Sequence, residues 1–201
     1  MNDSLKYKWI LALSNNLEFG ITLNKSGENL LPFKSKEDMK NFRQLTKNAT
    51  LVMGRSTWES IKTPLRVTQQ RVLYSTIPNL ENVFKFCKGR RVYVLTQNEE
   101  LLKNTNATPE VYVTFEECKE KIKGRNDVFV IGGIETFNLF NDPEEIFLSI
   151  IKEDFSIPAS SIINLKDYTL KHFPRKELLC RSFHLLQDTN PEYESYYWKK
   201  P

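Results

Sequence analysis

The chain has few glycines and few cysteines, and their placement excludes several classes of protein. None of the seven glycines forms a G-x-G-x-x-G or Walker pattern, so a Rossmann dinucleotide fold or a P-loop is disfavoured. The three cysteines, Cys87, Cys118 and Cys180, are scattered and lack C-x-x-C spacing. Their spacing argues against a disulfide framework or a zinc site and indicates a reducing compartment.

Long apolar runs and a strong charge of either sign are also missing. The sequence contains no run of 18 apolar residues and no charged leader followed by an apolar segment, so we expect neither a membrane span nor a secretory signal. The 29 basic and 25 acidic residues leave a net charge of +4, and no nucleic-acid-binding motif accompanies the short basic clusters. We therefore expect a cytoplasmic protein that binds no nucleic acid, and 201 residues suit a single domain.

Short apolar runs alternate with helical patterns along most of the chain. Six runs predict strands: Trp9–Leu13, Thr50–Met53, Val92–Thr96, Val111–Phe115, Val128–Ile131 and Ile146–Ile151. Helical patterns occur at 35–46, 114–124 and 134–140. This alternation predicts an α/β fold with a mostly parallel sheet. Two later segments, Leu178–Gln187 and Tyr193–Lys200, predict an antiparallel pair of strands at its edge.

Two adjacent glycines, Gly132 and Gly133, follow the apolar run VFVI. One explanation is a plain turn from a strand into a helix, where glycine relieves the backbone constraint. The other is a ligand, such as a phosphate or a flat ring, that presses on the turn where the helix presents unpaired N–H groups. Taken alone, these residues favour the plain turn.

The segment around Asp38 has two compatible interpretations. Ser35 and Asp38 form an S-x-x-D pattern typical of a helix N-terminus. Helical spacing also places Asp38 on one stripe with Phe42 and Leu45, whereas Glu37 faces away. Burial on an apolar stripe raises the pKa of a carboxyl group, which suits a group that transfers protons near neutral pH.

The segment LVMGRSTWESI predicts a strand that runs into Gly54 and a helix that begins near Arg55. An arginine followed by the hydroxyls of Ser56 and Thr57 at a helix N-terminus is suited to binding phosphate. A simple turn with a solvated arginine is the alternative.

These segments, in this order, resemble dihydrofolate reductase over nearly the whole chain. The matching stretches are WILALSNNLEFGI, LLPFKSKEDMKNF, MGRSTWESI, GRRVYVLTQN and VFVIGGIETF. The resemblance implies a central eight-stranded, mainly parallel sheet with an antiparallel C-terminal edge and flanking helices. It also implies NADPH-dependent reduction of 7,8-dihydrofolate to tetrahydrofolate.

The resemblance assigns roles to individual residues. Asp38 would bind the pteridine and assist protonation at N5, and Ser149 would replace a supporting threonine. The walls of the substrate site would be Ile10, Leu11, Ala12, Met39, Phe42, Ile61 and Ile131. Arg55, Ser56 and Thr57 would hold the cofactor phosphates, and a cis Gly132–Gly133 peptide would lie against the nicotinamide ribose. The other implied cofactor residues are Ala12, Gly20, Ile21, Gly54, Leu95, Thr96, Gln97, Ile131, Ile134, Glu135, Thr136 and Phe137.

Arg90 is the residue that the resemblance assigns to the glutamate tail of folate, because an arginine fork binds a carboxylate at two points. Arg66 and the stretch Arg71–Thr76 are rival matches, and a solvated Arg90 in a loop is a further alternative. Choosing Arg90 implies an insertion of about 15 to 22 residues within 62–88, judged by the short loops usual between elements.

Several departures from the family pattern predict a divergent reductase. Phe33, Phe137 and Gln97 replace a usual tryptophan, tyrosine and arginine, and the loop from Gly20 to Leu31 is long. The expected partners are dihydrofolate and antifolate inhibitors, and a monomer is expected. The alternatives are a reductase of another pterin or of a ribosylamino-pyrimidine, which would not need Arg90, and a catalytically silent binding module, against which Asp38 argues.

Overall fold

The computed structural model describes residues 5–23, 29–30, 35–62, 66–68, 71–73, 80–103, 109–152, 168–187 and 190–201. The strands in these ranges are β1 (Lys8–Ser14), β2 (Glu18–Leu23), β3 (Asn29–Leu30), β4 (Thr50–Gly54), β5 (Arg66–Thr68), β6 (Arg71–Leu73), β7 (Arg91–Leu95), β8 (Glu110–Val113), β9 (Val128–Val130), β10 (Glu145–Ile151), β11 (Tyr168–His172), β12 (His184–Gln187) and β13 (Tyr193–Lys199). The helices are α1 (Lys36–Leu45), α2 (Arg55–Lys62), α3 (Leu80–Cys87), α4 (Glu99–Leu102), α5 (Phe115–Ile122), α6 (Ile134–Leu139) and α7 (Arg175–Leu179).

Eight strands form the central sheet, in the order β12-β13-β10-β1-β9-β4-β7-β8. The six strands from β10 to β8 are parallel to one another. Strand β13 is antiparallel to β10, and β12 is antiparallel to β13. The predicted fold class is therefore confirmed, including its antiparallel C-terminal edge.

Helices cover both faces of the sheet because alternate side chains of each strand point to opposite faces. On β1, Trp9 and Leu11 join a core with residues of α5 and α6, whereas Ile10 joins a second core. That second core also contains Trp58 of α2 and Val83 of α3. Burial on both faces explains why the inner strands read as nearly continuous apolar runs.

Two smaller sheets accompany the central one. Strand β2 pairs antiparallel with both β3 and β11, and β5 pairs antiparallel with β6. The β5–β6 pair and α3 fall within the range 62–88, where the sequence predicts an insertion. Phe33, Pro64 and the whole stretch 24–28 lie outside the described residues.

Two predicted strands have wrong bounds. The run Val111–Phe115 leaves the sheet at Val113 because Thr114 caps α5: the Thr114 hydroxyl accepts a hydrogen bond from the Glu117 N–H at 3.2 Å, and the Glu117 carboxylate accepts one from the Thr114 N–H at 2.8 Å. Within Leu178–Gln187 the strand begins only at His184. Leu178 instead belongs to α7 and is buried in the core, and a short apolar run does not by itself separate helix from strand.

Candidate active site

A cavity of about 1080 Å³ opens where several parallel strands end. Gly54 at the end of β4, Leu95 at the end of β7 and Ile131 just after β9 line it. In open α/β sheets, ligands bind outside the carboxyl ends of the strands. Of the site residues implied by the resemblance, Arg90, Gly132 and Phe137 do not line this cavity, the side chain of Ile21 is outside the described part of the structure, and all the others line it.

Gly132 and Phe137 adjoin the lining residues Gly133 and Thr136 in sequence, and of Ile21 the structure describes only the backbone. Ile21 is on β2, where its backbone pairs with β3 and β11. Phe137 is 1% exposed and packs against Trp9, with ring centroids 5.0 Å apart. Gly132 is buried, and its carbonyl accepts a hydrogen bond from the Gly54 N–H at 2.8 Å.

The Gly132–Gly133 peptide is cis, as the resemblance implies. Gly132 has a φ of 115°, a region that favours glycine because side chains crowd the backbone there. A Cβ atom on Gly132 would lie 3.1 Å from the ring of Phe19. Within the protein, the groups that approach Gly132 are therefore the aromatic rings of Phe19 and Phe137, while Gly133 lines the cavity.

Asp38 lies in the first turn of α1 and lines the cavity together with Phe42 and Leu45. Its backbone N–H donates to the Ser35 hydroxyl at 3.0 Å, which confirms the predicted cap. Burial raises the pKa of Asp38, a hydrogen bond with Ser149 lowers it, and the charge of Glu192 raises it. Glu37 instead forms an ion pair with Lys40 at 3.6 Å. The predicted inward and outward faces of α1 are thus confirmed.

Arg90 is fixed behind the cavity wall by backbone oxygens. Its Nε donates to the carbonyl of Thr46 at 3.0 Å, its Nη1 to that of Phe86 at 2.7 Å, and its Nη2 to that of Arg43 at 3.3 Å. The guanidinium also lies over the rings of Phe42 and Phe86, with 5.9 and 5.7 Å between its carbon and the ring centroids. Both rings line the cavity, so Arg90 is held next to it and is not a freely solvated charge.

The N-terminus of α2 lies at another part of the same cavity. Arg55, Ser56 and Thr57 line it and offer a guanidinium, two hydroxyls and the unpaired N–H groups of a helix start. These donors suit a ligand that carries phosphates. Glu116 and Glu135 also line the cavity, and Glu116 pairs with Lys119 at 2.6 Å.

Sequence reasoning missed several lining residues. They are Phe19, Asn41, Leu45, Ser60, Phe86, Asn98, Thr114, Phe115, Glu116, Leu139, Phe147, Leu148, Lys171 and Ser195. Strand alternation around Ser149 and helix spacing around Phe42 were available signals for a few of them. Lys171 comes from β11, whose pairing with β2 no local pattern reveals. Among the described residues, no group of three or more His, Cys, Asp and Glu side chains is arranged to hold a metal ion.

Comparisons with known proteins agree with this geometry. A family model described as dihydrofolate reductase matches residues 8–84. A dihydrofolate reductase of Buchnera aphidicola is 42% identical over 76 residues, which are 37% of this chain and 41% of that protein. A type 9 dihydrofolate reductase of Escherichia coli is 34% identical over 71 residues, or 33% and 40% of the two chains. The chain thus spans about two fifths of the length of these two relatives.

Longer but weaker similarity extends over most of the chain. A dihydrofolate reductase of Ureaplasma parvum is 24% identical over 151 residues, which are 75% of this chain and 76% of that protein. Among solved structures, a dihydrofolate reductase from Enterococcus faecalis complexed with NADP(H) and RAB-propyl aligns with a TM-score of 0.58 at 20% identity. That alignment covers 96% of this chain and 95% of the other, and it shows a shared fold.

Proposed function

We propose that this chain, which belongs to the dihydrofolate reductase family, reduces 7,8-dihydrofolate to tetrahydrofolate with NADPH. The main support is a single cavity that contains both a shielded carboxyl group, Asp38, and a helix N-terminus that carries Arg55. Its volume of about 1080 Å³ is at the upper end of small-molecule pockets, which span roughly 300 to 1,000 Å³. It therefore suits a cofactor and a substrate bound together.

The chemistry that we assign to Asp38 is the delivery of a proton. Burial raises the pKa of its carboxyl group, so a larger fraction is protonated near neutral pH than for an exposed aspartate. Ser149 lines the same cavity, and its interaction with this carboxyl group partly offsets the effect of burial by lowering the pKa. Apolar side chains such as Ile10, Phe42 and Ile61 line the same cavity and would limit the access of water to the pterin.

The residues around Arg55 suit NADPH, which when bound would supply the hydride. Arg55 provides a cation at the start of α2, and Thr96 and Gln97 line the cavity with it. A guanidinium forms strong charge-assisted hydrogen bonds with phosphate oxygens. Because Gln97 and Glu135 contribute no positive charge here, we assign the preference for the extra phosphate of NADPH mainly to Arg55.

Arg90 is our candidate for recognition of the glutamate tail. At least three of its N–H groups donate to backbone oxygens, and a guanidinium has five. In the proposed role, its remaining donors and its positive charge would bind a carboxylate. A folate differs from other pterins and from ribosylamino-pyrimidines by this tail, so the position of Arg90 beside the cavity favours a folate substrate.

The experiment is a comparison of substrates with the purified chain and NADPH. Dihydrofolate, a dihydropterin without the benzoylglutamate tail and a ribosylamino-pyrimidine would each be supplied, and the loss of NADPH absorbance would be recorded. We expect the highest kcat/KM with dihydrofolate and tetrahydrofolate as the product. Faster reduction of the pyrimidine, or binding of dihydrofolate without NADPH consumption, would contradict the proposal.

A further inference from the structure

The carboxylate of Glu192 lies at the N-terminus of α1, although it comes from the turn before β13. The Ser35 hydroxyl donates a hydrogen bond to Glu192 Oε2 at 2.6 Å, across 157 positions of sequence. The backbone N–H of Glu37 donates to the same oxygen at 3.2 Å. Since the Ser35 oxygen also accepts from the Asp38 N–H, the carboxylate and the hydroxyl cap the first turn together.

The backbone of Glu192 is fixed to the central sheet. Its carbonyl accepts a hydrogen bond from the Lys152 N–H at 2.9 Å, and its own N–H donates to the side-chain oxygen of Asn190 at 2.8 Å. The next residue, Tyr193, is buried and pairs with Ile151 at the end of β10. Strand β10 also carries Ser149, which lines the cavity with Asp38, so Glu192 connects this strand with the helix that bears Asp38.

We propose that Glu192 is a positioning residue for the proposed reaction, a carboxylate that caps α1 from outside the helix and keeps a negative charge beside Asp38. The proposal rests on the function proposed above, because it concerns the same acid. The segment before β13 would thus contribute to proton transfer, a role that no local sequence motif predicts. Glu192 itself does not line the cavity, so it acts through Asp38 and not on the substrate.

The charges around Asp38 support this role. Hydrogen bonds from Ser35 and from the Glu37 backbone lower the pKa of Glu192 and so favour its charged form. Burial raises the pKa of Asp38, the interaction with Ser149 lowers it, and the Glu192 charge raises it further.

The other charged and titratable neighbours come from α1 and β13. The positive charge of Lys36 acts on Glu192, and Glu37 is paired with Lys40. Burial, followed by the charges of Asp38, Glu37 and Glu192, raises the pKa of Tyr193, so this neighbour stays neutral. Removal of the Glu192 charge should therefore lower the pKa of Asp38 and reduce its protonated fraction at neutral pH.

If Glu192 only caps the helix, removal of its charge should leave the pKa of Asp38 unchanged. If its charge also acts on Asp38, the same change should shift that pKa. In Glu192→Gln the side-chain oxygen can still accept from Ser35 and Glu37, but the charge is gone. Glu192→Asp keeps the charge on a shorter side chain. Glu194→Gln is a matched control, because Glu194 lies two residues further on, in β13, and pairs with Tyr196 at 2.6 Å and with Lys152 at 3.8 Å.

The deciding measurement is the NMR titration of the Asp38 carboxyl carbon in the protein without ligands, with Asp38→Asn used to assign the signal. We expect Glu192→Gln to move the midpoint to lower pH, whereas Glu192→Asp and Glu194→Gln should stay close to the parent. An unchanged midpoint in Glu192→Gln, or equal shifts in Glu192→Gln and Glu194→Gln, would overturn the proposal. This titration requires no turnover. If the chain failed to reduce dihydrofolate, the titration would still test the role of Glu192, and the turnover assay would reveal the failure of the proposed function.

In turnover, the high-pH decline of kcat/KM for dihydrofolate should begin at lower pH in Glu192→Gln than in the parent. A uniform loss at every pH, with no displacement of the profile, would assign Glu192 to the stability of the helix alone and would overturn its role beside Asp38.

Discussion

Asp38 is placed where its negative charge is unfavourable, and the stability of the protein should reflect this. Burial raises its pKa above the ordinary value of 3.8, so the folded chain retains the proton to higher pH than the unfolded chain does. The free energy of unfolding then decreases as pH rises from about the pKa of Asp38 in the unfolded chain to its pKa in the folded chain. Each unit of difference corresponds to about 1.4 kcal/mol.

Asp38→Asn should therefore remove the decrease in the free energy of unfolding that ionisation of Asp38 causes. The free energy of unfolding of the variant, measured by urea titration at a series of pH values, should exceed that of the parent by an amount that grows above the unfolded pKa and then levels off. Glu37→Gln serves as the control, because Glu37 is on the outer face of the same turn. A constant difference between Asp38→Asn and the parent across pH would contradict the account.

Arg90→Ala should lower kcat/KM for dihydrofolate far more than kcat/KM for a dihydropterin without a tail. Loss of a charge-assisted pair at a shielded site costs roughly 2 to 5 kcal/mol, which is about 30-fold or more in kcat/KM. Arg91→Ala is the control, because Arg91 is the exposed neighbour on β7. Equal losses for tailed and tailless substrates would remove Arg90 from the tail site and direct attention to Arg66 and Arg71.

At the scale of elements, the local patterns predicted α1 well because its cap and its stripe both lie within a dozen residues. Ser35, Asp38 and Phe42 occupy the places that helical spacing assigns to them. The cap from Glu192 was missed because it crosses 157 positions of sequence. Strand β11 and its Lys171 were missed for the same reason, since pairing with β2 depends on the whole fold.

The start of α2 should determine the choice of cofactor. Arg55 offers one cation to the extra phosphate, and a charge-assisted hydrogen bond contributes about 1.5 to 3 kcal/mol. We expect NADPH to be favoured over NADH by roughly ten- to a hundredfold, Arg55→Ala largely to abolish this preference, and Gln97→Arg to increase it. The test is kcat/KM for both cofactors on the three proteins, and unchanged discrimination in Arg55→Ala would refute the assignment.

At the scale of the whole molecule, the sheet brings together residues that are far apart in sequence. The parallel strands β1, β9, β4 and β7 end near one cavity, so Asp38, Arg55 and Thr96 line the same space. The sequence predicted the inner strands because burial on both faces leaves continuous apolar runs. It did not predict α3, although Phe86 of that helix lines the cavity and its carbonyl accepts from Arg90.

No helix in the described part of the chain is long and apolar enough to cross a membrane. The cytoplasmic location and the monomeric state stay predictions from the sequence, as does the insertion within 62–88. The fold and the cavity are compatible with the departures at Phe137 and Gln97, since Phe137 packs in the core and Gln97 lines the cavity.

The central claim is that this cavity reduces dihydrofolate with Asp38 as its acid, and one measurement tests it most directly. Steady-state turnover of dihydrofolate with NADPH at neutral pH would be compared among the parent, Asp38→Asn and Glu37→Gln. Removal of a positioned acid typically costs ~10²- to 10⁴-fold, so we expect a loss of that size in Asp38→Asn and near-parent turnover in Glu37→Gln, with both variants folded. Parent-like turnover in Asp38→Asn, or a larger loss in Glu37→Gln, would contradict the claim.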